Sequence, residues 1–274
     1  MPTKILFELK NVSFTYQLTH ALDNISFTIS EGEKLVLLGA NGSGKSTLLK
    51  ILDGLVFPTQ GIVQAFGHTI NSDYFSKEKQ EYDFRKRVGY IFQDSDVQLF
   101  SPTVWDEVTF APLQLGLSQE LVTKQAESAL KIMEITHLKN RIPFQLSGGE
   151  KKKVAIACVL SYKPTVWLFD EPTSGLDPRS QSRLIDFIFE VNAQKNTVIT
   201  ATHDLFILTE IANRVIVLSE DHQIVADDTP QEILADTKLL TKHNLIHAHI
   251  HKHLNQEHEH IHTHTSDHTH LSIK

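Results

Sequence analysis

Nine residues, Gly39-Ala40-Asn41-Gly42-Ser43-Gly44-Lys45-Ser46-Thr47, carry the most specific chemistry in the chain. They fit the spacing G-x-x-x-x-G-K-[ST], with an apolar run (34–39) before them and a helical pattern after. Glycines let successive backbone N–H groups turn inward as an anion nest. A helix starting near Lys45 adds its positive N-terminal end. The Lys45 ammonium can reach the β- and γ-phosphates, and the Ser46 hydroxyl can ligate Mg2+. The loop therefore predicts a site for a nucleoside triphosphate.

Two further apolar runs end in groups suited to working on that ligand. "WLFDEP" delivers Asp170 and Glu171, and "ATHD" delivers His203. In an open α/β sheet, ligands gather at the carboxyl ends of the strands, so all three residues are expected to face the loop. Asp170 suits the Mg2+ shell. Glu171 suits orienting and deprotonating an attacking water, a role worth roughly 10²–10⁴-fold in rate. His203 suits sensing or stabilising a γ-phosphate.

The elements that must position these groups are legible in outline. "ISFTIS" (25–30) alternates apolar and polar residues, as a half-buried strand does. The runs at 34–39, 88–93, 165–170, 196–204 and 214–220 fit buried strands covered on both faces. Helical patterns fall near 45–53, 119–134, 148–162, 179–191 and 204–212. Strands alternating with helices predict an α/β fold with a parallel sheet. Residues 94–162 lack a convincing strand and predict a helical insertion.

The segment "LSGGEKKKVAIA" (146–157) resembles the signature of the ATP-binding cassette (ABC) ATPases. With it come Gln93 as the Q-loop, "SGLD" (174–177) as the D-loop and His203 as the switch histidine; the likeness covers about residues 5–235. Tyr16 falls where the family stacks an aromatic ring on adenine. The resemblance implies a P-loop NTPase fold: a RecA-like parallel-sheet core, an antiparallel β subdomain and a helical insertion. It implies ATP and Mg2+ as ligands, with Ser46, Gln93 and Asp170 around the ion. It also implies a pair of subunits, each offering Ser147, Gly148, Gly149, Glu150 and Asp177 to the nucleotide of the other. Trp167 and Phe169 are bulkier than the aliphatics usual before the aspartate, and Lys153 stands where arginine is more common.

The stretch "FQDSDVQLF" (92–100), continued by "SPTVWDEVTFAP", is similar to the ATPases of energy-coupling-factor importers, with Ser95 in place of a proline. That likeness implies a peripheral place on the cytoplasmic face of the cell membrane, beside a membrane-embedded coupling (T) subunit and a substrate-binding (S) component. Asp94, Asp96, Asp106 and Glu107 either receive basic residues of such a partner or form a solvated acidic face. Lys151, Lys152 and Lys153 are expected on a solvated helix face.

Composition sets the outer bounds. The net charge of −7 argues against a nucleic-acid partner. The longest apolar run, 154–160, falls short of the roughly 20 residues that cross a bilayer, and the first ten residues lack the apolar core of a secretory signal. The single cysteine, Cys158, sits in that run and is expected to be a buried packing residue. The edge of the folded domain is placed at 240, with a disordered His-rich tail over 241–274.

Eleven histidines fall between His243 and His270, many as H-x-H. In extended chain, residues i and i+2 lie about 6.6 Å apart on one side, so His247, His249, His251, His253, His258, His260, His262, His264, His268 and His270 form a candidate transition-metal set. Imidazole suits Ni2+, Co2+ and Zn2+ alike. The tail either serves a Ni2+ or Co2+ importer or binds metal by accident. Three rivals stand beside that importer: the same ATPase with a vitamin or other small solute as cargo, a metal-storage protein with a nucleotide switch, and a soluble DNA-repair or translation ATPase, against which the acidic charge and the single cassette weigh.

Overall fold

The computed structural model describes residues 4–253 and 256–263. Strands β1 (Ile5–Tyr16) and β2 (Thr19–Ser30) form an antiparallel hairpin, whose alternating apolar residues put Phe7, Leu9, Ile25 and Ile29 in the core. Strand β3 (Lys34–Gly39) is apolar without alternation and buried from Leu35 to Gly39, as a strand covered on both faces must be. After the glycine loop comes α1 (Lys45–Leu52). Strands β4 (Gln60–Ala65) and β5 (His68–Thr69) complete a four-stranded antiparallel sheet in the order β2-β1-β4-β5. Short helices α2 (Ser72–Phe75) and α3 (Glu78–Arg85) lead to β6 (Val88–Ile91).

The expected insertion is helical. It holds α4 (Ser95–Gln98), α5 (Val104–Gln114), α6 (Gln119–Ile132) and α7 (Gly148–Leu160). Their apolar faces share a core of their own around Val108, Leu130, Val154 and the buried Cys158. Side-chain caps from Thr103, Ser118 and Ser147 start the three longer helices, meeting backbone N–H groups that would otherwise lack partners.

The chain then returns to the main sheet with β7 (Val166–Asp170), α8 (Pro178–Ala193), β8 (Thr197–Thr202), α9 (Leu208–Ile211), β9 (Arg214–Leu218) and β10 (Ile224–Asp228). The order is β10-β9-β3-β8-β7-β6, with only β10 antiparallel to its neighbour. The helix expected over 204–212 shrinks to α9, because the Asp204 carboxylate accepts from the Phe206 N–H and holds a turn there. Trp167 and Phe169 lie on one face of β7, ring on ring at 6.0 Å, with Phe187 of α8 edge-on to Trp167 at 5.7 Å. The Trp167 indole N–H donates to the Pro164 carbonyl, so its one polar atom is satisfied.

Helices α10 (Pro230–Ala235) and α11 (Thr237–Lys242) close the body, and Leu240, Leu245 and Ile246 are buried in the core beneath β9. Apolar packing therefore continues past 240, where patterning alone placed the edge. Strands β11 (Ile246–His253) and β12 (Gln256–Thr263) pair antiparallel. His264, His268 and His270 lie outside the described residues.

Trp167→Ala opens a large hole between β7 and α8. It is expected to lower unfolding free energy by roughly 3–5 kcal/mol, measured by denaturant titration; a loss below about 1 kcal/mol would contradict this packing.

Candidate functional site

The sheet register brings three strand ends side by side. Leu38 of β3 pairs with Thr202 of β8, and Asp170 of β7 pairs with Ala201. The glycine loop, the two carboxylates and His203 thus emerge at one edge.

Steric limits explain the glycines that matter. A Cβ on Gly39 would lie 2.4 Å from the Ser43 hydroxyl, and one on Gly44 would lie 2.2 Å from the Ala21 carbonyl. Gly44 also has φ +103°, which an L side chain rarely adopts. Around this loop Lys45 folds back, its ammonium donating to the carbonyls of Gly39 at 2.8 Å and Ala40 at 3.0 Å. The Ser43 hydroxyl is buried and, among the described residues, has no partner.

Asp170 is held from both sides. The Ser46 hydroxyl donates to Oδ1 and the Tyr90 phenol to Oδ2, each at 2.9 Å. Burial raises the Asp170 pKa, with the two donors opposing and the Glu171 charge adding to the rise. Hard oxygen donors suit Mg2+; Ser46 and Asp170 fit that ion, since Tyr90 leaves the Oδ1 edge turned toward the loop.

Glu171 follows at φ +43°, the left-handed region, which is unusual for a side chain of this size. Its Oε1 lies 3.0 Å from His203 Nδ1 and 3.5 Å from Lys45 Nζ, and its Oε2 accepts from Thr202 Oγ1 at 3.3 Å. Burial pushes this carboxyl up, but the His203 hydrogen bond and the Lys45 charge outweigh it and hold the pKa below the ordinary value. Burial pulls Lys45 the other way, down, against the attraction of Glu171. His203 is raised, first by its hydrogen bond to Glu171.

Ser46 with Asp170, and Lys45 and His203 with Glu171, therefore form two bonded groups side by side, one cluster at the sheet edge. The other expected site residues stand apart. Ser147 and Glu150 form a reciprocal cap on α7, and Asp177 caps α8 through Arg179 and Ser180. Tyr16 is 40% exposed and edge-on to Phe14 at 4.6 Å. The Gln93 side chain is exposed. Among the described residues, no hydrogen bond or ion pair joins Tyr16, Gln93, Ser147–Glu150 or Asp177 to the cluster.

Two expectations are corrected. Lys152 is not on a solvated face: it is 3% exposed, and its ammonium donates to the carbonyls of Phe92 and Gln93, each at 3.0 Å. Burial pulls its pKa down to about 8. Helical phase carried the signal, because Lys152 shares a face with Ala155, Ile156 and Val159. Glu107 is likewise buried, at 4% exposure, its Oε2 accepting from the backbone N–H groups of Phe100 and Ser101, so it does not lie on a solvated acidic face. Tyr90 and Thr202 went unforeseen, for no motif marks a residue whose task is to hold another.

Three comparisons bear on this geometry. The ABC transporter family model matches residues 22–174. The chain is 42% identical over 243 residues to a nickel import ATP-binding protein of Rhodobacter capsulatus, covering 88% of this chain and 95% of that protein. It is 40% identical over 241 residues to an energy-coupling factor transporter ATP-binding protein of Methanocaldococcus jannaschii, covering 88% and 85%. Among solved structures, CbiO1 of Clostridium perfringens, part of the ABC transporter complex CbiONQ, matches with TM-score 0.73 and 34% identity over 88% of this chain and 95% of its own.

The cluster's electrostatics can be tested by titration. The ion pair makes His203 bind its proton more tightly in the fold, so the stabilisation is complete at low pH for the histidine and fades as pH rises through its raised pKa. Glu171→Gln removes the charged acceptor and is expected to lower the His203 midpoint in an NMR titration; an unchanged midpoint would contradict the pairing.

Proposed function

The chain belongs to the ABC transporter family and is an ATP-hydrolysing subunit; on that premise we propose that it powers an energy-coupling-factor importer of Ni2+ or Co2+. The observation that carries the catalytic part is the Lys45–Glu171–His203 contact at the mouth of the glycine loop. Lys45 donates to two loop carbonyls and pairs with Glu171. Entering β- and γ-phosphates compete for that ammonium with a larger negative charge and draw it away. Glu171 is then left held by His203 and Thr202, free to orient a water and take its proton. The water oxygen bonds to the γ-phosphorus as the bond to the bridging oxygen of the leaving diphosphate breaks. His203, already on the same carboxylate, stands beside the departing phosphate. Gly42, Ser43, Gly44 and Thr47 contribute the loop and helix start, and Ser43 has a hydroxyl to spare for phosphate. Ser46 and Asp170 would hold Mg2+, with Gln93 as a third ligand; the ion supplies charge neutralisation on the phosphates when bound.

Ser147, Gly148, Gly149, Glu150 and Asp177 lie apart from the cluster of their own chain, and this supports their use on the nucleotide of a second ATPase subunit, identical or related. The start of α7 offers N–H groups to an anion. Tyr16, exposed at the end of β1, is the proposed platform for adenine.

The proposed place is peripheral, on the cytoplasmic face of the cell membrane, against a T subunit and an S component. Among the described residues no helix is long and apolar enough to cross a membrane. Exposed Phe100 and Phe110, stacked edge to face at 5.0 Å, form an apolar spot with Asp106 one helical turn before Phe110, which suits a basic amphipathic helix.

For the cargo, support comes from the nickel importer subunit and from the tail. The β11–β12 register sets His247 opposite His262, His249 opposite His260 and His251 opposite His258. These rungs are proposed as a local reservoir of the transported ion.

Two experiments test the proposal. Lys45→Ala is expected to abolish turnover, and Glu171→Gln to cut it at least 10²-fold while ATP still binds; normal hydrolysis in either variant contradicts the site. In the complex reconstituted with its membrane partners, Ni2+ or Co2+ should accumulate with ATP, and deleting residues 247–274, which leaves the buried Leu245 and Ile246 in place, should lower uptake at scarce metal. Vitamin uptake without metal uptake would overturn the cargo while leaving the ATPase intact.

A further inference from the structure

Strand β6 ends at Ile91 and α4 begins at Ser95, so Phe92, Gln93 and Asp94 bridge the main sheet and the helical insertion without a ladder of their own. Side chains of α7 and α4 hold this bridge instead. Lys152 donates to two successive carbonyls, Phe92 and Gln93. Gln98 accepts from the Phe92 N–H at 3.3 Å through Oε1 and donates to the Ala155 carbonyl of α7 at 2.9 Å through Nε2. Lys151 pairs with Asp96 at 2.6 Å.

These ties are unequal. The Asp96 side chain is 53% exposed, and an ion pair open to water holds little. Lys152 is buried, and pulling the bridge away would strand its ammonium without acceptors, which is far more costly than trading one hydrated contact for another. The lysine contact is therefore the last to open, and the segments it joins are the two of most consequence for nucleotide: α7 opens with Ser147-Gly148-Gly149, and the bridge carries Gln93.

We propose that Lys152 is a positioning residue that pins the Gln93 bridge to α7, so that both move as one body when Ser147–Gly149 engages nucleotide. The proposal rests on the reading that those residues close on the nucleotide of a second subunit. Closure at the start of α7 would then carry Gln93 toward or away from its own chain's Ser46 and Asp170, and would shift the α4–α5 surface with it.

The test uses the full chain with Lys152→Met, which removes both donors at similar volume, and Lys152→Arg, which keeps a permanent charge and several donors. Light scattering with ATP reads pairing of subunits, hydrogen exchange over 92–98 reads the pin, and steady-state hydrolysis separates KM from kcat. Lys152→Met is expected to pair normally and keep KM within about twofold, to exchange at least tenfold faster over 92–98 in the ATP-bound state, and to lose at least tenfold in kcat; Lys152→Arg is expected to recover most of both. Wild-type exchange and kcat in Lys152→Met would overturn the pin. Should that variant not fold, Lys152→Gln, whose shorter neutral side chain cannot reach both carbonyls, must show the same changes to a lesser degree; their absence overturns the proposal equally. Failure of the wild-type chain to pair with ATP would overturn the functional reading, and the pin with it.

Discussion

Two carboxylates, Asp170 and Glu171, stand next to each other at the end of a strand buried along its whole length. Neighbouring anions in such a place cannot both remain charged unless each is compensated, and the architecture of the site follows from how each is met. Asp170 is met by neutral donors, Ser46 and Tyr90, and its pKa stays high. Glu171 is met by charge, from Lys45 and from His203, and its pKa falls. The backbone turns at Glu171 into the left-handed region, where the strand ends. Adjacent residues of one chemistry are thereby split into one suited to share a cation and one suited to manage a proton.

That division depends on the sheet order. Placing β3 beside β8, and β8 beside β7, puts the loop lysine next to the carboxylate that needs it, across more than a hundred residues of sequence. The antiparallel sheet and the helical insertion add no hydrogen bond to this cluster, although the Lys152 charge is felt by Asp170 and Glu171. They carry Tyr16 on one flank and α7 on the other, which are the surfaces the proposed second subunit and the base of the nucleotide would use. Lys152 joins the second of these flanks to the core.

Much of this was legible from residue types. The glycine loop was readable because its chemistry is local: nine consecutive residues hold the nest, the lysine and the hydroxyl. Asp170, Glu171 and His203 were readable because each ends an apolar run, and strand ends in a parallel sheet converge. Tyr90 was hidden inside such a run, where a phenol looks like packing. Lys152 was hidden by its neighbours, since three lysines in a row suggest water whatever the helical phase says. Glu107 was misjudged for a related reason: a carboxylate early in a helix is usually exposed, but here the preceding loop folds over it and lends two N–H groups. The edge at 240 was set where apolar patterning thins, yet Leu245 and Ile246 still pack into the core. Local rules reveal groups that act; groups that support another residue require the third dimension.

The central claim is that one chain holds a complete set for gripping phosphate and only half of what hydrolysis needs, the rest coming from the α7 start of a second subunit. The most direct measurement is the rate of ATP hydrolysis per chain as the protein is diluted, at saturating ATP and Mg2+. The account predicts that the rate per chain falls in proportion to concentration once the chains are too dilute to pair. A rate per chain that stays constant down to concentrations at which only single chains exist would contradict it.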